Sequence, residues 1–192
     1  MTSRIPSKTL QLFTLESPYE LAFPDLTTHI QLDSPATAIF TDFRSHPPAT
    51  LYTDDSLDEA QRFLANAHVS IMSVLDRSEH FRGLITRERL LDESPMRLVN
   101  LGQRWEDLQV SDLMIPRSQL MALNYDTLAH ATVGRLITLL RQEGHPHVLV
   151  VDSHSPRIIG LISALDLARR LQLTVEFQQQ PSFMEIFDAV MY

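Results

Sequence analysis

Ser163 and Asp166 stand three positions apart in RIIGLISALDLARRL, residues 157–171, and their types and spacing could do chemistry. Arg157, Ile158, Ile159, Leu161 and Ile162 form a β-branched, apolar run with Gly160 inside it, which predicts a strand. Leu165, Leu167, Ala168 and Leu171 then supply a helix face, with Ser163 at the N-cap. A helix start presents unpaired N–H groups and a positive dipole end, which suits an anion and above all a phosphate. Asp166 lies one turn in, on the same side, where its carboxylate can accept from two neighbouring hydroxyls such as those of a ribose. The same two residues would serve equally as a plain helix cap and a first-turn acid that stabilises through the dipole.

Other chemistry is sparse. His145 and His147 would point to one face of a strand, with His154 nearby. No acidic or cysteine set at ligand spacing completes a metal shell, so no metal is expected. There is no G-x-S-x-G elbow, Walker sequence or H-E-x-x-H, and the carboxylates are scattered, so catalysis is not expected.

The stretch at 157–171 has a counterpart upstream. FRGLITRERLL at 81–91 repeats its order, with Gly83 matching Gly160 and Thr86 matching Ser163. Leu75-Asp76 matches Val151-Asp152, and DSLDEA at 55–60 resembles DTLAHA at 126–131. The chain reads as a tandem duplication.

Two copies of strand, helix, strand, strand, helix, each closing on a glycine, two apolar residues and a hydroxyl, resemble cystathionine β-synthase-type (CBS) domains. A pair of these makes a Bateman module. The likeness covers residues 36–171; GLISALD matches well, whereas GLITRER has Arg89 where the family often has Asp. SDLMIPRS at 111–118 resembles the D-apolar-M-x-P lead-in of such domains. The resemblance implies an α+β tandem CBS pair of the bacterial, stand-alone kind. Its two β-α-β-β-α repeats would be related by a pseudo-two-fold axis, with an N-terminal arm and a C-terminal helix added.

It also implies a non-catalytic sensor that needs no cofactor and binds an adenine nucleotide (AMP, ADP, ATP or a related adenosyl ligand). The cleft would be in the second repeat, with Ser163 and Asp166 on the sugar-phosphate. The adenine would lie against Ile115, Pro116 and Ser118 of the lead-in and His145, Pro146 and His147 of the following strand. Arg117, Arg157, Arg169 and Arg170 are candidates for phosphate contacts, each of which could equally be a solvated surface charge. Thr86 with Arg87 and Arg89 is the degenerate counterpart, weakened for ribose but able to hold phosphates. A homodimer is expected, together with a protein partner that reads the bound state. The alternative is a nucleotide-free dimeric interaction or adaptor module with degenerate sites.

The bulk properties fit. The 192 residues carry a formal charge of −8, are 44% apolar and include no cysteine. That argues against nucleic acid as a partner, since phosphate backbones need a basic face. With no apolar run long enough for a bilayer and no secretory signal, a cytoplasmic protein without membrane association is expected.

These residues must be positioned by an N-terminal arm (1–35), a first repeat (36–93), a connector (94–110), a second repeat (111–172) and a tail (173–192). Strands are predicted at 10–15, 49–52, 70–75, 81–85, 119–123, 148–151 and 157–162. A short helix is predicted at 36–43, another to residue 66 from the Ser56/Glu59 capping box, and a third from Thr86 to 92. Trp105 should anchor the connector, and Pro95 suits the first turn of a helix within it. The second copy is five positions longer between Leu128 and Asp152 than the first between Leu57 and Asp76. Its helix therefore fits 133–142, capped by Thr132 and stopped by Gly144, with 126–131 as an extra turn. The tail begins a helix at a second box, Ser182/Glu185. Its face of Phe183, Ile186, Phe187, Val190 and Met191 should be buried on its own subunit and at a dimer interface.

Overall fold

The computed structural model describes residues 30–67, 69–91, 94–141, 146–173 and 181–191. The strand expected at 10–15, His145 and the stop at Gly144 lie outside the described residues. The first half runs β1 (Thr41–Asp42), β2 (Thr50–Tyr52), α1 (Leu57–Ala67), β3 (Ile71–Leu75), β4 (Phe81–Thr86) and α2 (Arg87–Leu91). Two connector helices follow, α3 (Ser94–Asn100) and α4 (Val110–Leu113). The second half runs β5 (Ile115–Pro116), β6 (Met121–Asn124), α5 (Tyr125–Ala129), α6 (Val133–Leu140), β7 (His147–Val151), β8 (Ile158–Ser163) and α7 (Ala164–Arg170). The last helix is α8 (Phe183–Met191). Among the described residues no helix is long and apolar enough to cross a membrane.

The strands form two sheets of matching order, β2-β3-β4-β5 and β6-β7-β8-β1. In each, the first pair is parallel and the other two are antiparallel. Even the register repeats: Val74 faces Gly83 and Val150 faces Gly160, each followed by a register shift. The halves exchange edge strands, since β5 of the second half completes the first sheet and β1 of the first half completes the second. This exchange explains the two motif glycines. A Cβ on Gly83 would meet the Ile115 carbonyl oxygen at 2.2 Å, and one on Gly160 would meet the Thr41 carbonyl oxygen at 2.3 Å and the Phe40 ring at 2.0 Å.

Strand alternation gives each sheet two buried faces. On β7, Val148 and Val150 join the helix-side core while Leu149 joins the layer between the sheets; on β8, Ile162 and Leu161 divide in the same way, and the register shift beside Gly160 brings Ile159 to the helix side as well. The layer between the sheets is thin, with Leu84, Leu149 and Leu161 as its buried members among the described residues. The helix-side cores are larger, and each recruits a following segment. Leu108, Val110 and Leu113 join the first, and Phe183 and Ile186 join the second.

The helix expected at 36–43 is confined to a 3-10 turn, Ala36–Ile39. Pairing with β8 then draws the chain straight, with Thr41 opposite Leu161 and Phe43 N–H donating to the Ile159 carbonyl at 2.9 Å. The extra turn expected at 126–131 is a short helix, α5, held by the fully buried Leu128. Thr132 caps α6 as expected, its Oγ1 accepting from Arg135 N–H at 3.4 Å. The strand expected at 119–123 starts later because residues Arg117–Gln119 form a 3-10 turn. Trp105 packs on the first core and its indole N–H donates to Asp58 at 3.0 Å. Both capping boxes form; Glu59 accepts from Ser56 N–H at 3.0 Å and Glu185 from Ser182 N–H at 2.7 Å. On α8, Phe183 and Ile186 are fully covered by the chain's own second core and Phe187 and Val190 pack against it half-buried, while the side chain of Met191 lies outside the described residues.

Candidate functional site

A cavity of about 330 Å³ opens between the halves, directly in front of α7. One wall comes from the second half: His147, Leu161, Ser163, Leu165, Asp166 and Arg169. Ser163 ends β8 opposite His147, and Ala164 N–H donates to the Pro146 carbonyl at 2.9 Å, which fixes this end of the hairpin. Ser163 Oγ caps α7 by accepting from Asp166 N–H at 3.4 Å. The Asp166 carboxylate is half-buried, with an Arg169 nitrogen 3.8 Å away. His147 is 2% exposed.

The opposite wall comes from the first half: Thr41 and Phe43 at β1, residues 46–49 leading into β2, residues 69–73 at the start of β3, and Leu84 on β4. The cavity therefore sets a hydroxyl, a carboxylate and a guanidinium against Phe43, Pro47, Pro48, Ile71 and Met72. Such an arrangement holds a flat apolar group on one side and hydroxyls or an anion on the other.

The expected site residues are divided between two places. His147, Ser163 and Asp166 come together at the cavity, and Pro146 lies beside them with its carbonyl accepting from Ala164 N–H. Ile115 and Pro116 do not join them; they pair with Leu84 and Gly83 on the edge of the other sheet, and Ser118 is exposed in the turn that follows. The reason is the edge-strand exchange. The lead-in beside Ser163 belongs to the first copy, whereas 115–118 runs beside Thr86 and Arg89.

At that second place, Thr86 is buried and its Oγ1 accepts from Arg89 N–H at 3.4 Å, repeating the cap at Ser163. Arg89 replaces the acid, and its Nη1 donates to the Leu113 carbonyl at 3.1 Å. The guanidinium is thus bound to the chain's own backbone.

The candidate phosphate-binding arginines also separate. Arg169 lines the cavity. Arg170 donates to the Ala38 carbonyl at 2.6 Å. Arg117 sits on the turn after β5, and Arg157 lies at the far end of the β7–β8 hairpin from Ser163. Arg44, close to the cavity in sequence, is held by both oxygens of Asp42 and lies 5.1 Å over the Tyr125 ring. The hydrogen bond from its side chain keeps the Asp42 carboxyl below the usual carboxylate range.

The family model for the CBS domain matches residues 40–95 and 110–173, more than half of the chain. The chain belongs to the CBS-domain family. As a tandem CBS pair it shares its fold with solved structures at low sequence identity. An uncharacterized conserved protein from Pyrococcus horikoshii is 17% identical with a TM-score of 0.54, covering 77% of this chain and 98% of that one. CBSX2 in complex with AMP is 20% identical with a TM-score of 0.51, covering 74% of this chain and 99% of that one. The CBS domain of a bacterial CNNM/CorC-family Mg2+ transporter, in complex with ATP, is 16% identical with a TM-score of 0.51, covering 73% and 89%. No curated protein matches.

Within this CBS pair, the first-half wall escaped the sequence reading. His46, Pro47 and Pro48, which line that wall, precede the strand expected at 49–52 and carry no motif that marks them. The signal lay in Gly83 and Gly160, glycines inside strands, which mark places where another backbone passes close.

Proposed function

We propose that this CBS pair is a non-catalytic regulatory module that binds an adenine nucleotide at Ser163 and Asp166 and relays its presence to a protein partner. The observation that carries the reading is the cavity, which sets Ser163, Asp166 and Arg169 against an apolar wall from the other half. The AMP and ATP complexes of the similar CBS structures support it. A ligand there touches both halves, so its affinity depends on how the halves are set. Unequal affinity for two arrangements is what lets a ligand shift their populations.

A thermal-shift panel of AMP, ADP, ATP, NAD and cyclic dinucleotides tests this. A binder present at 100 times its dissociation constant should stabilise by about 2.7 kcal/mol. Asp166→Asn should remove most of that shift and Arg89→Asn should leave it. A silent panel, or an unchanged shift with Asp166→Asn, overturns the reading. The silent panel would favour a nucleotide-free interaction module, for which Arg89 held on the Leu113 carbonyl already speaks in the first half.

A further inference from the structure

We infer that Arg170 is a positioning residue for the cleft: its clasp on the Ala38 carbonyl holds the first half's wall against α7, and Arg89 clasps the other lead-in in the same way. The effect on ligand binding rests on the nucleotide reading; the clasp itself does not. Arg170 ends α7, and its Nη1 donates to the Ala38 carbonyl at 2.6 Å. Ala38 belongs to the 3-10 turn Ala36–Ile39, which runs straight into β1. In the first half Arg89 of α2 donates to the Leu113 carbonyl at 3.1 Å, and Leu113 closes α4 just before β5. β1 and β5 are the exchanged edge strands and pair alike, Asp42 with Gly160 and Pro116 with Gly83. Each closing helix therefore grips the last turn of the segment that delivers its sheet's edge strand. The last carbonyls of such a turn lack partners within it, and a guanidinium meets them with a charge-assisted bond.

The two clasps start from different places. Arg89 occupies the position matched by Asp166, whereas Arg170 lies one turn beyond Asp166 on α7. Moving the clasp along the helix leaves the Asp166 position open to a ligand. It also ties the helix that bears Asp166 and Arg169 to β1, where Thr41 and the following Phe43 form part of the opposite wall. The setting of the two walls then depends on a bond between one side chain and one carbonyl, and Arg170 supplies it without touching the ligand.

Hydrogen exchange without nucleotide, and calorimetric titration with adenosine and AMP, test this. Phe43 N–H, which donates to the Ile159 carbonyl at 2.9 Å, reports on the β1–β8 edge. Arg170→Gln should speed its exchange roughly threefold to tenfold, less than a buried charged hydrogen bond is worth because Arg170 is exposed. Arg170→Lys, which keeps the charge at the end of α7 but not the planar fork, should undo part of that change. Arg89→Gln should instead speed exchange at Met114 N–H, which donates to the Val110 carbonyl, and leave Phe43 alone. Adenosine and AMP should both bind Arg170→Gln more weakly, by a similar factor of about three to ten. Arg62→Gln, which removes an exposed arginine from a carbonyl within its own helix, should change neither. Unchanged exchange at Phe43 in Arg170→Gln overturns the clasp, whatever binds. Faster exchange with both affinities unchanged overturns its link to the cleft. A loss confined to AMP makes Arg170 a phosphate contact and overturns its positioning role. If the unaltered protein binds neither adenosine nor AMP, the nucleotide reading falls and the link to the cleft with it, while the exchange at Phe43 still decides the clasp.

Discussion

The two halves agree wherever the framework is at stake and differ wherever a ligand would be met. Gly83 and Gly160 admit the exchanged edge strands, Thr86 and Ser163 cap the following helices, and Asp76 and Asp152 brace the hairpins. Yet Asp166 faces a cavity, while Arg89 at the matching place is bound to the Leu113 carbonyl. Fold-bearing positions are constrained by backbone geometry in both copies. The position three after the cap carries no such duty, so it can take either charge without harm to the sheet.

The halves also differ in what closes their cores. The connector covers the first through Leu108, Val110 and Leu113, and α8 covers the second through Phe183 and Ile186. This comparison breaks most readily at Phe183, which is fully buried. Phe183→Ala should cost about 3–5 kcal/mol of unfolding free energy. Hydrogen exchange should show protection lost first in α6, α7 and β7, with the first sheet holding longer. Simultaneous loss in both sheets would make the halves one cooperative unit and end the distinction.

The next effect tests the framework itself. Gly83→Ala and Gly160→Ala each drive a methyl group into a main-chain oxygen of an edge strand, at 2.2 and 2.3 Å. Overpacking against backbone has no rotamer to relieve it, so each should cost about 3 kcal/mol in denaturant unfolding. The Phe40 ring beside Gly160 can turn aside; the Thr41 carbonyl cannot without loss of the β1–β8 pairing. A variant that is neutral in one half alone would show that the strand exchange is tight on one side only.

Much of this was legible in the sequence because it was written twice. The match of Gly83 to Gly160 and Thr86 to Ser163 identified the closing strands and caps, and the boxes at Ser56 and Ser182 placed α1 and α8. What the pattern could not convey was which lead-in pairs with which sheet. Residues 41–42 and 115–116 are too short to show strand periodicity, and their pairing is decided by partners more than thirty or a hundred positions away. Placing 115–118 at Ser163 followed from assuming that each half closes on itself. The segment 126–131, expected as an extra turn, closes as the one-turn helix α5, held by the buried Leu128 and by Asp126 N–H donating to Ser153 Oγ at 3.1 Å, contacts that no local pattern announces.

The smallest effect is the most direct measure of how alike the halves are. Asp76 accepts from the N–H groups of Ser78 and His80 at 2.9 and 3.0 Å, and Asp152 accepts from His154 N–H at 2.8 Å. Backbone hydrogen bonds, from His80 in the first case and His154 in the second, hold both carboxyls below the ordinary value of 3.8. A carboxyl whose folded pKa is depressed contributes stability that is fully present above its unfolded pKa. That contribution is lost as pH falls below about 4 and on through the folded value. Melting temperature followed from about pH 6 down to pH 3 should therefore fall less steeply for Asp76→Asn and Asp152→Asn than for the parent. Because the two turns do the same job, the flattening should be similar for both. A flattened acid limb in only one of them would mean that the matching turns brace their sheets unequally, and that the symmetry is one of chain path rather than of energy.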